Sequence, residues 1–392
     1  MNATCKGGIV ISINLTNVIA MNTTQSFPKI DLIEGLGYQK VIKIFDPEEN
    51  LKAYIAIHDT TLGPALGGIR IYPYANEEEA LKDVLRLAKG MTYKSALAGC
   101  GLGGGKSVIM ADPSQGQKTK GLLQAFAKVV DSLKGEYICA EDVGCNTQDV
   151  AIISEITPYV VGLDHEMSSG DPSIFTAFGT YIGLQSSWAY LTNGRSLENV
   201  RVLVQGLGSV GEKLVEWLYF AGAKVFISDI DHLKMQKLKK KFGVIPVDTK
   251  EVYSFDCDIF SPCAMGAILN AQTISQLRCQ LVAGCANNQL LELEDDLRLK
   301  KQGILYAPDF VINSGGLINV SIELNEVGYH PQEARKLVAQ IPQRLKSIYT
   351  IAAEKNIGTQ MAANFLAEER ILKLIDKRQQ TPFFHHQRLC KI

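Results

Sequence analysis

Two neighbouring runs, Tyr38–Asp46 (YQKVIKIFD) and Leu51–Asp59 (LKAYIAIHD), are rich in apolar and β-favouring residues and are separated by the turn residues PEEN. This pattern predicts a β-hairpin. The period then changes: Leu81, Val84, Leu85 and Ala88 recur at helical spacing behind Asn76 and Glu79. An Asn followed three residues later by Glu is a helix-start signature, so a helix is expected to deliver the chain to Gly90. Past a glycine-rich stretch, Ser107–Met110 reads as a strand, residues 120–133 as a helix, YICAED as a strand and residues 147–156 as a helix. A further helix starts after Asp171–Pro172.

The second half alternates more regularly. Strands are expected at Val202–Gln205 and Lys224–Ser228, then within CDIFSP, QLVAGC and ILYAPDF, and helix is expected from about residue 332 to 377. Alternation of this kind predicts an α/β chain. The stretch from Gly162 to Asp171 is the expected boundary between two domains.

Composition narrows the partners. The chain has 392 residues, of which 46% are hydrophobic and 21% charged, with a formal net charge of −1, so no global field draws it to nucleic acid or anionic lipid. Nine scattered cysteines form no CxxC pair, and the six histidines form no HExxH pair. No metal is therefore expected, and a reduced, cytoplasmic compartment fits. Gly7–Leu15 is too short to span a bilayer, and the NxT triplets at Asn2, Asn14 and Asn22 read as chance matches. Met21 is an alternative start, which leaves the status of residues 1–20 open.

The most specific local signal is GLGSVG. Gly206, Gly208 and Gly211 follow a strand and open a helix, and a second strand ends in Asp229, 18 residues past the third glycine. This order of strand, glycines, helix, strand and acid is the dinucleotide-binding fingerprint. Pyrophosphate is expected over the helix N-terminus, and Asp229 is expected to accept from a ribose diol and repel a 2′-phosphate, favouring NAD over NADP.

A second concentration of chemistry is GMTYKSALAGCGLGGGK, with Lys94 and Lys106 twelve residues apart. It is not a phosphate loop. The first glycine of GxxxxGK[ST] would fall on Cys100, and a strand follows where that motif requires a helix. Glu141 and Asp142 close one strand, Asn287 and Asn288 follow another, and Asn313 follows a third. Polar groups at strand ends lie where open α/β sheets bind ligands.

Taken in order, HDTTLGPALGGIR, LRLAKGMTYKSALAG, LGGGKSVI, AEDVG, the glycine fingerprint, AGCANNQL, APDFVINSGG and LAEERI resemble the glutamate, leucine, valine and phenylalanine dehydrogenase family. They are most similar to its leucine/valine branch. The resemblance spans about residues 40–372 and implies a two-domain α/β enzyme. A substrate domain would occupy residues 27–165 and an NAD-binding Rossmann domain residues 166–335. The C-terminal helices over 336–392 would return to the first domain, and residues 1–26 would form a poorly ordered extension.

The implied reaction is NAD-dependent, reversible oxidative deamination of leucine, valine or isoleucine to the 2-oxo acid and ammonia, by a homo-oligomer for which the family suggests an octamer. By resemblance, Lys94 pairs with the substrate carboxylate, Lys106 activates the water that attacks the imine carbon, and Asp142 shuttles protons at the nitrogen. Thr176, Asn288 and Asn313 neighbour substrate or cofactor, and Gly206, Gly208, Ser209, Val210, Gly211 and Asp229 hold the cofactor. Leu66, Gly67, Ala140, Val161, Leu317 and Val320 surround the substrate side chain. Leu66 and Val320 stand where the glutamate enzymes place a lysine and a hydroxyl, so a distal carboxylate should be rejected. Ser209 replaces the usual fingerprint asparagine, and Leu317 replaces a smaller valine. Phenylalanine oxidation and a silent NAD-binding paralogue are the alternatives.

Overall fold

Thirteen strands and the helices between them build two sheets in the computed structural model, which describes residues 27–385 and the backbone of Ile11–Ser12. The expectation for an extension over residues 1–26 otherwise lies outside the described residues. The first sheet contains β1 (Ile11–Ser12), β2 (Lys29–Leu32), β3 (Lys40–Asp46), β4 (Leu51–Asp59), β5 (Ala65–Tyr72), β6 (Gly103–Met110) and β7 (Tyr137–Ala140). Their spatial order is β1-β2-β3-β4-β6-β5-β7. The expected hairpin is present as antiparallel β3 and β4, with Ile42 opposite Ile55. The β4–β6 pair is also antiparallel, while β6–β5 and β5–β7 are parallel. Ile42, Ile44, Ile55, Ile57, Ile69 and Ile71 pack with Leu122, Phe126 and Val130 of the helix Lys120–Ser132. Each such buried side chain contributes about 1.5–3 kcal/mol.

On the other face lies the long helix Glu77–Ala98. Asn76 caps it, accepting from the Glu79 N–H at 2.9 Å. The helix runs through Gly90 instead of ending there, so Lys94 is a helical residue. A helical glycine costs about 1 kcal/mol relative to alanine. Here that cost is outweighed by the buried face that includes Val84, Ala88 and Leu97. The helix ends at Gly99, whose φ of 68° suits a left-handed cap. It has no basic residue in its own last turn; Arg344 and Arg370 supply cations from the C-terminal helices, donating to the carbonyls of Leu97 and Ala96.

The second sheet is wholly parallel. It contains β8 (Arg201–Gln205), β9 (Lys224–Ser228), β10 (Ile245–Pro246), β11 (Ile259–Pro262), β12 (Leu281–Val282) and β13 (Leu305–Tyr306). The order β10-β9-β8-β11-β12-β13 is the doubly wound arrangement 3-2-1-4-5-6. Its switch point falls between β8, which leads into Gly206, and β11. The C-terminal helix Ile341–Glu354 packs on the helix Ser173–Leu191 and on Thr359–Leu372, which packs on the first sheet's long helix. Tyr93 there donates to Glu368 at 2.6 Å, and Arg378 N–H reaches the Leu62 carbonyl at 2.8 Å. One apolar cluster runs from Leu97 through Leu345 and Ala363 to Val204 and Leu214, joining both sheets. No helix among the described residues is long and apolar enough to cross a membrane.

Candidate active site

The glycines before Lys106 are not a turn. They form the first half of β6, and their role is set by what lies against them. A Cβ on Gly104 would sit 2.0 Å from the Thr92 nitrogen and 2.3 Å from its hydroxyl oxygen, so strand and long helix touch there without a side chain between them. Side chains alternate along a strand, so Lys106 shares that helix-facing side with Gly104. Gly105 and Ser107 face the opposite side. There the buried Tyr137 hydroxyl donates to the Gly67 carbonyl at 2.9 Å and lies 3.0 Å from Ser107 Oγ.

Lys106 projects into a cleft of about 1500 Å³ between the first sheet and the C-terminal edge of the second. Its Nζ lies 2.8 Å from Asp142 Oδ2. Asp142 follows β7 in a tight turn closed by reciprocal backbone bonds with Cys145. Its neighbour Glu141 turns away, accepting from Thr147 at 3.0 Å. Gly68 of β5 makes room for the ion pair: a Cβ on it would stand 2.7 Å from the Asp142 Cβ and 3.1 Å from Lys106 Nζ.

Electrostatics separate the two lysines from ordinary ones. Burial lowers Lys94 to about 8, with Asp309 opposing and Lys106 reinforcing the shift. Burial also lowers Lys106, against the attraction of Asp142. Burial alone would raise the Asp142 carboxyl, but the Lys106 and Arg70 cations outweigh it and hold the group below the usual carboxylate range. Asp309, buried after β13, accepts from the Gln289 N–H at 2.7 Å, and burial raises its carboxyl despite Lys94.

Groups suited to a dinucleotide line the second sheet's edge. Gly206 has φ 99°, and a Cβ on it would clash with Ala264 at 2.7 Å. A Cβ on Gly211 would lie 2.0 Å from the Gly206 carbonyl oxygen, while one on Gly208 would meet nothing within 4 Å. The loop is therefore tight at its ends and open in the middle. The helix Gly211–Phe220 begins without a side-chain cap; the Glu212 N–H is taken by the Gly208 carbonyl at 3.1 Å, and the positive end of the helix dipole favours an anion here. Asp229 Oδ2 accepts from the Leu207 N–H at 2.6 Å, tying the loop to β9. Asn313 Nδ2 is spent on the Cys285 carbonyl at 3.1 Å and Asn287 Oδ1 at 2.8 Å, while its Oδ1 is buried with no protein partner. These residues fit a dinucleotide, with an acceptor left for an amide N–H. Among the described residues, no group of three or more His, Cys, Asp or Glu is placed to hold a metal.

Lys94, Lys106, Asp142, Leu66, Gly67, Ala140, Asn288, Leu317, Val320, Thr176, Asn313 and Val210 all border the one cleft. Gly206, Gly208, Ser209, Gly211 and Asp229 lie outside this lining, and Val161 is buried in the core behind it. Arg70, Gly68 and Asp309 also border the cleft, and no motif in the sequence singles them out. A signal for Arg70 existed: it stands between the buried Ile69 and Ile71 in a strand buried nearly throughout, where a cation needs a partner.

Two family models match the chain. One, described as Glu/Leu/Phe/Val dehydrogenase, dimerisation domain, matches residues 40–159; the other, Glutamate/Leucine/Phenylalanine/Valine dehydrogenase, matches residues 228–379. A leucine dehydrogenase of Geobacillus stearothermophilus is 45% identical over 358 residues, covering 90% of this chain and 96% of the relative. A phenylalanine dehydrogenase of Thermoactinomyces intermedius is 40% identical over 352 residues, covering 89% and 95%. The crystal structure of L-tryptophan dehydrogenase from Nostoc punctiforme superposes with a TM-score of 0.76 at 44% identity, covering 86% of this chain and 97% of that one.

Proposed function

The chain belongs to the glutamate/leucine/phenylalanine/valine dehydrogenase family, and we propose that its reaction is the reversible oxidative deamination of a branched-chain L-amino acid to the 2-oxo acid and ammonia. It is an amino-acid dehydrogenase and uses NAD. The observation that carries the reading is the 2.8 Å contact of Lys106 with Asp142 in a cleft that Lys94 also borders.

Each side chain has a part. Lys94 attracts the substrate carboxylate. Lys106, whose proton burial loosens, takes a proton from the water that attacks the imine carbon. Asp142 exchanges protons with the substrate nitrogen. Gly206, Gly208, Gly211 and Asp229 hold the dinucleotide, and Thr176 and Asn313 neighbour its reacting end. When bound, the dinucleotide supplies the redox chemistry by accepting hydride from the substrate Cα.

Leu66, Ala140, Leu317 and Val320 offer an apolar setting for the side chain. A carboxylate desolvated there without a cation would cost several kcal/mol, so glutamate is refused. An aromatic substrate is the second reading, favoured by the names of the phenylalanine and tryptophan relatives. The division into substrate domain, Rossmann domain and returning helices at residues 165/166 and 335/336, and assembly as a homo-oligomer, belong to the same proposal.

The test is NADH production at alkaline pH with leucine, valine, isoleucine, phenylalanine, tryptophan and glutamate, each with NAD and NADP. Turnover should be greatest with an aliphatic substrate and NAD. Preference for an aromatic substrate replaces the first reading with the second, and no turnover with any of them overturns both. Lys106→Arg, which keeps the charge but cannot give up its proton, should abolish turnover while NAD still binds.

A further inference from the structure

Asp142 is held from two sides. Lys106 approaches its Oδ2 from β6 at 2.8 Å, and Arg70 Nε approaches the same oxygen from β5 at 3.1 Å. The guanidinium is itself braced. Arg70 Nη1 donates to Asp83 Oδ2 at 2.9 Å, and Asp83 also accepts from the Tyr74 hydroxyl at 2.7 Å and from Arg86 at 3.0 Å. Arg70 thus spans two carboxylates with two arms of one rigid plane, which the point charge of a lysine cannot do.

We propose that Arg70 is a positioning residue of the dehydrogenase reaction, fixing the Asp142 carboxylate in the orientation in which it meets Lys106 and the substrate nitrogen. This rests on the reading of Asp142 as the group that exchanges protons with that nitrogen. Arg70 also bears on when Asp142 takes up a proton. The cations facing Asp142 are Lys106, Arg70 and, from the long helix, Lys94. Asp83 and Asp309 lie behind Arg70 and Lys94, and Glu141 turns away to Thr147. Tyr137 and Cys145 are also within reach, and burial keeps both protonated.

Lys106 must lose its proton to activate water, and at that moment its pull on Asp142 vanishes. Arg70 is the contacting cation that cannot deprotonate. It keeps Asp142 ionised when Lys106 is neutral, so the proton affinities of acid and base stay apart.

Arg70→Met, Arg70→Lys and Asp83→Asn test this. Three readouts apply: kcat and KM over pH, thermal melting, and ¹³C NMR titration of the Asp142 carboxyl. In Arg70→Met, kcat should fall on the order of 100-fold while KM for NAD stays within about threefold. The ascending limb of the pH profile and the carboxyl titration should both move upward, since Arg70 lowers both Lys106 and Asp142. Arg70→Lys keeps the charge without the second arm, so it should restore most of the titration but leave kcat about tenfold low. Asp83→Asn should lower kcat in the same direction by less.

Wild-type kcat with an unmoved limb in Arg70→Met overturns the proposal, as does a low kcat with an Asp142 that titrates as in wild type. If Arg70→Met does not fold, wild-type kcat and an unmoved titration in Arg70→Lys overturn it instead. Absence of turnover by the wild-type enzyme would refute the reading of function, and the carboxyl titrations would still decide whether Arg70 holds Asp142.

Discussion

Gly104 touches Thr92 so closely that a methyl group on the glycine would lie 2.0 Å from the threonine nitrogen. This contact sets the spacing between the strand that carries Lys106 and the helix that carries Lys94. Gly104→Ala must push helix and strand apart, because the obstacle is backbone. Overpacking of a core typically costs about 1–3 kcal/mol, and the upper end is expected here. Calorimetry should show a melting temperature several degrees lower, and KM for the amino acid should rise as the lysines separate. A variant that melts with the wild type would show that the helix does not rest on this glycine.

Gly68 plays the corresponding part for the ion pair. The Cβ of Gly68→Ala would stand 2.7 Å from the Asp142 Cβ and 3.1 Å from Lys106 Nζ. Lys106 can retreat into the cleft, but the Glu141 carbonyl oxygen, also 2.7 Å away, is backbone, so the turn after β7 must shift and a loss of about 1–3 kcal/mol is expected. Turnover should drop on the order of 100-fold, since a displacement near 1 Å at reacting groups has that effect. Steady-state kinetics beside a melting curve would separate the two effects.

Lys94 should leave a signature in the pH dependence of stability. Burial lowers it from 10.5 to about 8 in the folded protein. Below pH 8 both folded and unfolded chains hold the proton, and the cost of burying the charge is fully present. Between about 8 and 10.5 the unfolded chain binds the proton that the folded one has released, so stability rises with pH across this window. Lys94→Met removes that contribution. The difference in urea midpoint between wild type and variant should shift in favour of the wild type as pH rises from 8 to 10.5; a flat difference would mean that Lys94 is not desolvated.

Asp229 is predicted to control the choice of cofactor. Its Oδ2 and Oδ1 accept from the N–H groups of Leu207 and Asp231, at 2.6 and 2.8 Å. Asp229→Asn removes the charge and one acceptor, so the loop should survive with a loss of about 1 kcal/mol. The ratio of kcat/KM for NADP over that for NAD should rise about tenfold, as repulsion of a 2′-phosphate is relieved. An unchanged ratio would assign Asp229 to loop support alone.

The sequence by itself determined the α/β class, the β3–β4 hairpin, the Asn76 cap and the glycine fingerprint with its acid. These are local: periodicity, turn residues and caps act within a few positions, and their physical causes are printed in neighbouring letters. Lys94, Lys106 and Asp142 were also legible, as charged residues in unusual settings whose parts the family resemblance named.

Other features belonged to the tertiary structure. The helix continues through Gly90 because its buried face outweighs the propensity cost, and that balance depends on a sheet formed by distant strands. The glycines before Lys106 look like a turn, yet they form a strand pressed against Thr92. Glu141 and Asp142 are adjacent letters at the rim of one cleft, but the turn after β7 pairs one with Thr147 and the other with Lys106. Arg70 lies 72 positions before the carboxylate it braces. Long-range contacts decided these points because a charge's partner and a glycine's necessity are set by what folds against them, which no local window contains.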